Sequence, residues 1–219
     1  MSVEELREKG YIVLSSRNTL SSLKSTILPL LPEGYVFLDY KYTIVGPPLF
    51  TYHRDVTSSR SSFNTRYPTY TVIHYEYDGA HLSVSPGSHL QWQPYLPITI
   101  GGNKNQTILF DCDLVHAGLE APASVKRKAT QYKIVHRDDL YLLQEVASVD
   151  IVQKGKEVHW ILKPILLAVS YIFTVPIQVI CRPLMQRLQT GLLGYIQDLF
   201  PLNYYNNPFI DRSLTKVSP

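Results

Sequence analysis

The chain has 219 residues, 45% of them hydrophobic, which is enough to bury the core of one catalytic domain with an appendage. Its 21 basic and 18 acidic side chains give a formal net charge of +3 and are scattered along the sequence. Nucleic acid is therefore excluded as the expected main partner, because binding it requires a concentrated basic surface. The two cysteines, Cys112 and Cys181, lie in apolar segments and predict neither a disulfide nor a cysteine-type zinc site.

The N-terminal third begins with two predicted helices that flank one strand. Polar and charged residues fill positions 1–9 and no apolar run of signal-peptide length follows, so we expect no cleaved signal, and the compartment, cytoplasmic or membrane-associated, stays open. Residues 3–9 predict a short helix that ends at Gly10, and residues 11–14 predict a buried strand. A second helix is predicted over residues 20–31, ended by Pro32 and Gly34.

Short β-rich runs separated by glycine, proline, asparagine and serine follow, up to about His136. This pattern is typical of a barrel or sandwich of antiparallel strands, with one face of each strand in the core. We therefore predict a mainly β domain with flanking helices over residues 1–150. Its strands are expected at residues 35–40, 42–45, 70–75, 82–84, 107–110 and 130–135.

A hydrophobic and amphipathic helical region is predicted over residues 151–219. Eighteen residues without a formal charge run from Pro164 to Cys181, and leucine and isoleucine then recur at helical spacing between residues 184 and 199. Two readings stay open for this region. It either packs over the barrel as a buried helix or associates with a membrane through residues 164–200, as a span or within the interface.

One constellation of side chains predicts a metal site. His53 and Asp55 are two positions apart, which on a strand places both side chains on the same face. His116 follows the apolar run 108–110, where a strand would deliver it to a cavity as the third ligand. Two histidines and one carboxylate on one side of an ion form the facial triad of non-haem iron(II) oxygenases, which leaves positions open for other ligands.

A basic side chain is placed to complement this site. Arg127 lies eleven residues after His116, enough for a turn and a return into the adjacent antiparallel strand. Its guanidinium would bind a carboxylate through two hydrogen bonds, as a dicarboxylic cosubstrate requires. Strand alternation turns Lys126 and Lys128 to the opposite face, although a register slip of one residue would exchange the roles.

With these residues in place, the sequence resembles the phytanoyl-CoA dioxygenase-like branch of the 2-oxoglutarate-dependent oxygenases. The resemblance covers about residues 50–135 and rests on three ordered blocks: the tetrapeptide at 52–55, the stretch 79–89 that ends in Pro-Gly-Ser-His, and His116 followed by Arg127. It implies a double-stranded β-helix, the cupin-like jelly roll. It also implies that His53, Asp55 and His116 hold Fe(II), that Arg127 binds 2-oxoglutarate, and that O2 is consumed.

The implied activity is hydroxylation of a small or lipid-like substrate that no residue in the sequence identifies. Related halogenases lack the carboxylate that Asp55 supplies, so an intact triad favours hydroxylation or desaturation over halogenation. Two rival hypotheses remain: a catalytically inactive cupin-like module that binds a metal, and a membrane-anchored interaction protein.

Other histidines are expected to have no part in the site. The tripeptide His136-Arg137-Asp138 repeats residues 53–55 but lacks the downstream blocks, so we interpret it as a coincidence. His89 closes the Pro-Gly turn and is expected to form a hydrogen bond within it. His74 and His81 are read as strand or loop residues without a special role.

Overall fold

The computed structural model describes residues 3–15, 19–55, 57–59, 63–91, 96–155 and 158–176. These residues form three α-helices, α1 Val3–Lys9, α2 Leu20–Ile27 and α3 Leu162–Pro176, with 3₁₀ segments at Leu28–Leu30 and Arg137–Val146. The prediction of a mainly β chain with flanking helices is confirmed. The strands are β1 Tyr11–Ser15, β2 Tyr35–Val45, β3 Tyr70–Tyr75, β4 Gly79–Val84, β5 Ile98–Gly102, β6 Gln106–Asp111, β7 His116–Gly118, β8 Lys128–His136 and β9 Val149–Lys154.

The strands form two sheets. The larger has the order β1-β6-β3-β8-β2-β9, and the smaller has the order β5-β4-β7. An isolated antiparallel bridge between His53 and His116 adds the segment around residue 53 to the free edge of β7. From β3 to β8 the chain moves repeatedly between the sheets, so residues far apart in sequence meet across the space between them.

The main core lies between the two sheets because strand side chains alternate between faces. Ile73 and Tyr75 of β3 pack in one cluster with Leu82 and Val84 of β4 and with Phe110 of β6. Each such side chain stabilises the fold by roughly 1.5–3 kcal/mol through removal of apolar surface from water. This packing fixes the separation of the sheets, and the candidate site lies between them.

A second cluster fixes α1 and α2 on the outer face of the larger sheet. Leu6 of α1 and Leu23 and Ile27 of α2 pack with Val72 and Leu109, which alternate with the inward residues of their strands. The amphipathic pattern of α2 thus has its counterpart in the outward positions of β3 and β6.

Gly10 ends α1 and allows a close approach between α1 and the turn at residues 85–90. Its φ of +82° lies in the left-handed region, and a Cβ there would come within 2.5 Å of His89 Nδ1. His89 Nε2 donates a hydrogen bond to the Arg7 carbonyl at 3.0 Å. The expectation that this histidine bonds within its own turn was wrong, because its Nε2 bonds to the last turn of α1 instead.

Several elements differ from the sequence prediction. β2 is one strand with a register shift between Phe37 and Lys41, where two strands were expected. β5, β7 and β9 were not predicted, since β7 has only three residues and β5 ends in two glycines. β9 pairs in parallel with β2, so the sheet continues past residue 150, the predicted boundary, to Lys154.

The predicted C-terminal region is described only up to residue 176. Helix α3 covers the first part of the uncharged run, whereas Cys181 and the amphipathic stretch 184–199 lie outside the described residues. Among the helices of the described ranges, none has the length and hydropathy needed to cross a membrane.

Candidate metal centre and its cavity

His53, Asp55 and His116 come together at the edge of the smaller sheet. The backbone amide of His53 donates to the His116 carbonyl and the reverse bond is also formed, each at 2.9 Å. The Asp55 amide donates to the Cys112 carbonyl at 2.9 Å, which fixes the carboxylate beside the imidazoles. One ligand atom from each of the three buried residues lies within 4.8 Å of the other two. This arrangement can hold one divalent cation.

Backbone carbonyls orient both imidazoles. Nδ1 of His53 lies 2.8 Å from the Thr51 carbonyl, and Nδ1 of His116 lies 2.9 Å from the Leu114 carbonyl. A carbonyl only accepts, so each Nδ1 carries the proton and each Nε2 keeps its lone pair for a metal. Burial and the proximity of His116 lower the pKa of His53 to about 3, and burial also lowers the pKa of His116. Both rings are therefore neutral at physiological pH, as metal ligands must be.

Asp55 forms an ion pair with a buried lysine. Nζ of Lys133 lies 2.7 Å from Asp55 Oδ2 and donates to the Thr71 hydroxyl at 2.7 Å, and this hydroxyl donates to the same oxygen of Asp55. Burial opposes ionisation of Asp55, but Lys133 and the two histidines together outweigh burial and hold the pKa of Asp55 below its usual range. Asp55 is therefore ionised, and its second oxygen, Oδ1, is left for a metal.

Cys112 lies close to this network but has a different character. Its Sγ is within 3.2 Å of the hydroxyl oxygens of Thr57 and Thr71. Burial raises the pKa of the Cys112 thiol to about 12. Because only a thiolate binds metals well, Cys112 has a packing and hydrogen-bonding role.

Arg127 lies in the same cavity as the two histidines. The cavity is lined by His53, His116, Arg127, Tyr75 and Gln131, together with apolar residues such as Ile44. The Arg127 side chain is buried, with Nη1 donating to the Gly46 carbonyl at 3.4 Å and the guanidinium 5.9 Å from the Tyr77 ring centre. Its neighbours face elsewhere: Lys126 is exposed, and Lys128 pairs with Glu76 at 2.8 Å.

Two hydrogen-bond donors of this cavity are unpaired. Arg127 Nε and the Tyr75 hydroxyl are buried and have no hydrogen-bond partner within the described part of the chain. Burial raises the pKa of Tyr75 far above its usual value, although the charge of Arg127 opposes this, so the hydroxyl keeps its proton. Unpaired buried donors are costly, and a ligand carboxylate would satisfy both. The donor set therefore fits an anionic ligand that shares a cavity with a metal ion.

The other histidines lie apart from this triad. His136 Nδ1 accepts from the Asp138 amide at 3.3 Å and so caps the 3₁₀ helix. His74 is buried with Nδ1 2.9 Å from the Thr107 hydroxyl, and His81 bonds to Gln106 and to the Tyr77 carbonyl. These bonds give all three residues structural roles.

Sequence reasoning missed Lys133, Thr71 and Tyr75. The signal for Lys133 was present, because residues 129, 131 and 133 share one face of β8, in phase with Arg127 just before the strand. A lysine on the inward face of a strand requires a buried anionic partner. Thr71 pairs in register with Lys133, whereas Tyr75 carried no comparable signal among the 16 tyrosines of the chain.

The chain matches no protein-family model and no curated protein. It is similar to the solved structure of EvdO2 from Micromonospora carbonacea var. aurantiaca, with 13% identity over 62% of this chain and 89% of that one and a TM-score of 0.45. It is also similar to the alpha-ketoglutarate-dependent epimerase SnoN from nogalamycin biosynthesis (12% identity, 61% and 81% coverage, TM-score 0.44). A third similar structure is EctD from S. alaskensis with bound Fe (13% identity, 70% coverage of this chain and 86% of that one, TM-score 0.43). The resemblance to the phytanoyl-CoA dioxygenase family stays a prediction.

Proposed function

We propose that the chain is an Fe(II)- and 2-oxoglutarate-dependent oxygenase of the phytanoyl-CoA dioxygenase type. The observation that carries this proposal is the pair of unpaired donors, Arg127 Nε and the Tyr75 hydroxyl, in a cavity also lined by His53 and His116. A dicarboxylate could bind the metal through one end and these two donors through its other carboxylate. The strand order of the two sheets agrees with the double-stranded β-helix that this proposal requires.

Each residue has a defined task in this proposal. The Nε2 atoms of His53 and His116 and Oδ1 of Asp55 would bind the metal from one side, while the carbonyls of Thr51 and Leu114 hold the rings in position. Arg127 and Tyr75 would bind the far carboxylate of 2-oxoglutarate. The bound iron supplies oxidative chemistry, in which 2-oxoglutarate, O2 and a C–H bond are converted to succinate, CO2 and an alcohol.

Hydroxylation of a small or lipid-like molecule is the form of the reaction that we favour. Asp55 occupies the third ligand position, which halogenation would leave open for a halide. The apolar walls of the cavity, including Ile44, Leu49 and Leu82, suit a hydrophobic substrate.

The proposal is tested with the purified chain in two measurements. Addition of iron(II) and 2-oxoglutarate without oxygen should produce the visible charge-transfer absorption of a 2-oxo acid chelated to iron(II), and oxygen should then yield succinate. His53→Ala should abolish both signals while the circular dichroism spectrum is kept. His159→Ala is the matched control, because His159 is exposed and lies outside the triad. A folded wild-type chain that gives neither signal would refute the assignment.

A metal-binding module without oxidative activity is the second candidate. The ion pair between Lys133 and Asp55 favours it, because a positive charge beside the triad weakens the binding of the iron(II) that oxidative turnover requires. This candidate predicts metal binding measured by calorimetry without any formation of succinate.

A further inference from the structure

Helix α3 has its polarity reversed with respect to a helix on the surface of a soluble domain. The stripe that faces the protein contains Leu166, Ser170 and Thr174, all buried and two of them hydroxylic. Large apolar side chains on the outward side are exposed, with relative exposures of 55% at Ile165 and 65% at Ile172. In soluble domains the apolar stripe faces the core and the polar face is solvated.

The outward apolar side chains form one continuous stripe. Their spacing of three or four residues places them on the same side of the helix. We call this surface the α3 patch, and it consists of Leu162, Ile165, Val169, Ile172 and Phe173. Exposed Trp160 and Ile161 extend it before the first turn, with Trp160 exposed by 75%. Contiguous apolar surface of this kind on a folded domain marks a binding face.

Specific contacts hold the inward face of α3 against the protein, so the α3 patch faces outward. The backbone amide of Tyr52 donates to the Ser170 hydroxyl at 2.9 Å, and the ring of Tyr171 meets that of Tyr52 edge to face at 5.0 Å. Tyr171 also packs with Val115 and Ala117, which alternate with His116 and so lie on the outer face of the smaller sheet. The helix cannot turn its apolar side inward without breaking these contacts.

Charge indicates what covers the patch. Residues 151–219 contain seven basic and three acidic side chains, whereas residues 1–150 contain fourteen basic and fifteen acidic side chains. Lys163 lies in the first turn of α3 and donates to Glu120, and Lys154 ends β9. An apolar stripe with tryptophan at its end, in a part of the sequence that has a basic excess, fits the boundary between acyl chains and anionic headgroups. A symmetric pair of copies would instead bring two basic regions together.

We propose that the α3 patch binds the surface of an anionic lipid bilayer, with the helix lying in the plane of the interface. This binding does not rest on the proposed enzymatic activity. It places the segment 51–53, and with it one edge of the metal site, on the side of the protein that faces the lipid.

The test is flotation of the whole chain with vesicles of phosphatidylcholine containing phosphatidylserine. The wild-type chain should float with these vesicles and much less with pure phosphatidylcholine. The double substitution Ile165→Gln and Ile172→Gln should weaken vesicle binding at least tenfold, because two large apolar side chains are then no longer buried among the acyl chains. Leu96→Gln with Ile98→Gln is the control, since these exposed apolar residues lie at or before β5, on the opposite edge of the smaller sheet.

Each alternative occupant of the patch gives a distinct result that would overturn the proposal. Binding that survives the Ile165 and Ile172 substitutions would locate lipid contact elsewhere in the chain. Absence of vesicle binding, with a dimer in sedimentation that the same substitutions dissociate, would identify a second copy as the occupant. Absence of both would show that neither lipid nor a second copy covers the patch. Unchanged circular dichroism and melting temperature would verify that the substituted chain is folded.

Discussion

Nζ of Lys133 lies 2.7 Å from Oδ2 of Asp55, and neither side chain is more than 2% exposed. Lys133 also lies 5.6 Å from the centre of the Tyr40 ring, so it is held among aromatic and hydroxyl groups away from water. A buried pair of this kind is costly to break by removal of one partner, because the other charge is then left without compensation. Lys133 therefore stabilises the carboxylate of the triad and also repels a cation that approaches it.

Replacement of this lysine should have opposite effects on folding and on metal binding. Lys133→Met should destabilise the metal-free protein by about 3–5 kcal/mol, because Asp55 loses its partner. It should tighten binding of Mn²⁺, a redox-silent substitute for iron(II), by about tenfold or more, because a positive charge has been removed near the site. Thermal unfolding and titration calorimetry measure the two effects.

Lys128→Met, which removes only a half-exposed ion pair with Glu76, should leave the Mn²⁺ affinity unchanged. Weaker Mn²⁺ binding by Lys133→Met would mean that the lysine mainly positions Asp55.

Arg127 is expected to carry most of the affinity for 2-oxoglutarate. Removal of a buried charged partner costs about 2 kcal/mol or more, so Arg127→Met should raise the dissociation constant for 2-oxoglutarate by about 30-fold or more in the presence of Mn²⁺. The affinity for Mn²⁺ alone should change little. Lys126→Met is the matched control, because Lys126 is adjacent in sequence but exposed. If both substitutions had the same effect, the cosubstrate would not bind at Arg127.

The Tyr75 hydroxyl is expected to contribute a smaller, separable part of that affinity. Tyr75→Phe removes one oxygen and keeps the ring that packs on His81, with the two ring centres 4.3 Å apart. A hydrogen bond to a charged group contributes about 1.5–3 kcal/mol, so affinity for 2-oxoglutarate should fall by about tenfold or more. In the absence of ligand the same substitution should be neutral or stabilising, because the hydroxyl is buried without a partner. A loss of stability without a loss of affinity would exclude Tyr75 from the ligand site.

Acid should destabilise the metal-free protein. The pKa of His53 is lowered to about 3 in the folded state and that of His116 is also lowered, whereas both titrate near 6.5 when unfolded. Between those values the unfolded chain binds more protons, so stability is full above about pH 6.5 and falls as the pH drops through this window. Protonation of His53 in the unfolded chain should by itself lower the free energy of unfolding by about 2 kcal/mol at pH 5. Below about pH 4 protonation of Asp55 in the unfolded chain adds to this effect, because the pKa of Asp55 is lowered in the fold.

Melting temperatures of the chain in chelator between pH 7.5 and pH 5 measure this dependence. Replacement of both His53 and His116 by asparagine should flatten the curve over the same range. An equally steep curve for that double variant would assign the acid sensitivity to other groups.

Local patterns in the sequence determined much of this protein. Alternation with a period of two identified the β-rich region and placed Arg127 on a different face from Lys126 and Lys128. The end of α1 followed from Gly10, whereas α2 ends at Ile27 and gives way to the 3₁₀ segment Leu28–Leu30, short of the predicted end at residue 31. The order of His53, Asp55, His116 and Arg127 predicted a site, because these residue types have few other reasons to recur in such a pattern. All of these signals depend on neighbours within a few residues.

Tertiary structure alone decided which of the remaining residues meet at that site. Lys133 contacts Asp55, 78 positions earlier in the chain, only because β8 lies beside β3 and faces the segment around residue 55. The unpaired donor of Tyr75 and the exposed side of α3 likewise depend on which surfaces pack together. Strand pairing and sheet packing join residues that are distant in sequence, and no local periodicity encodes those partners. The sequence therefore determined the faces of its strands and helices, and the packing of those faces determined the site and the surface left exposed beside it.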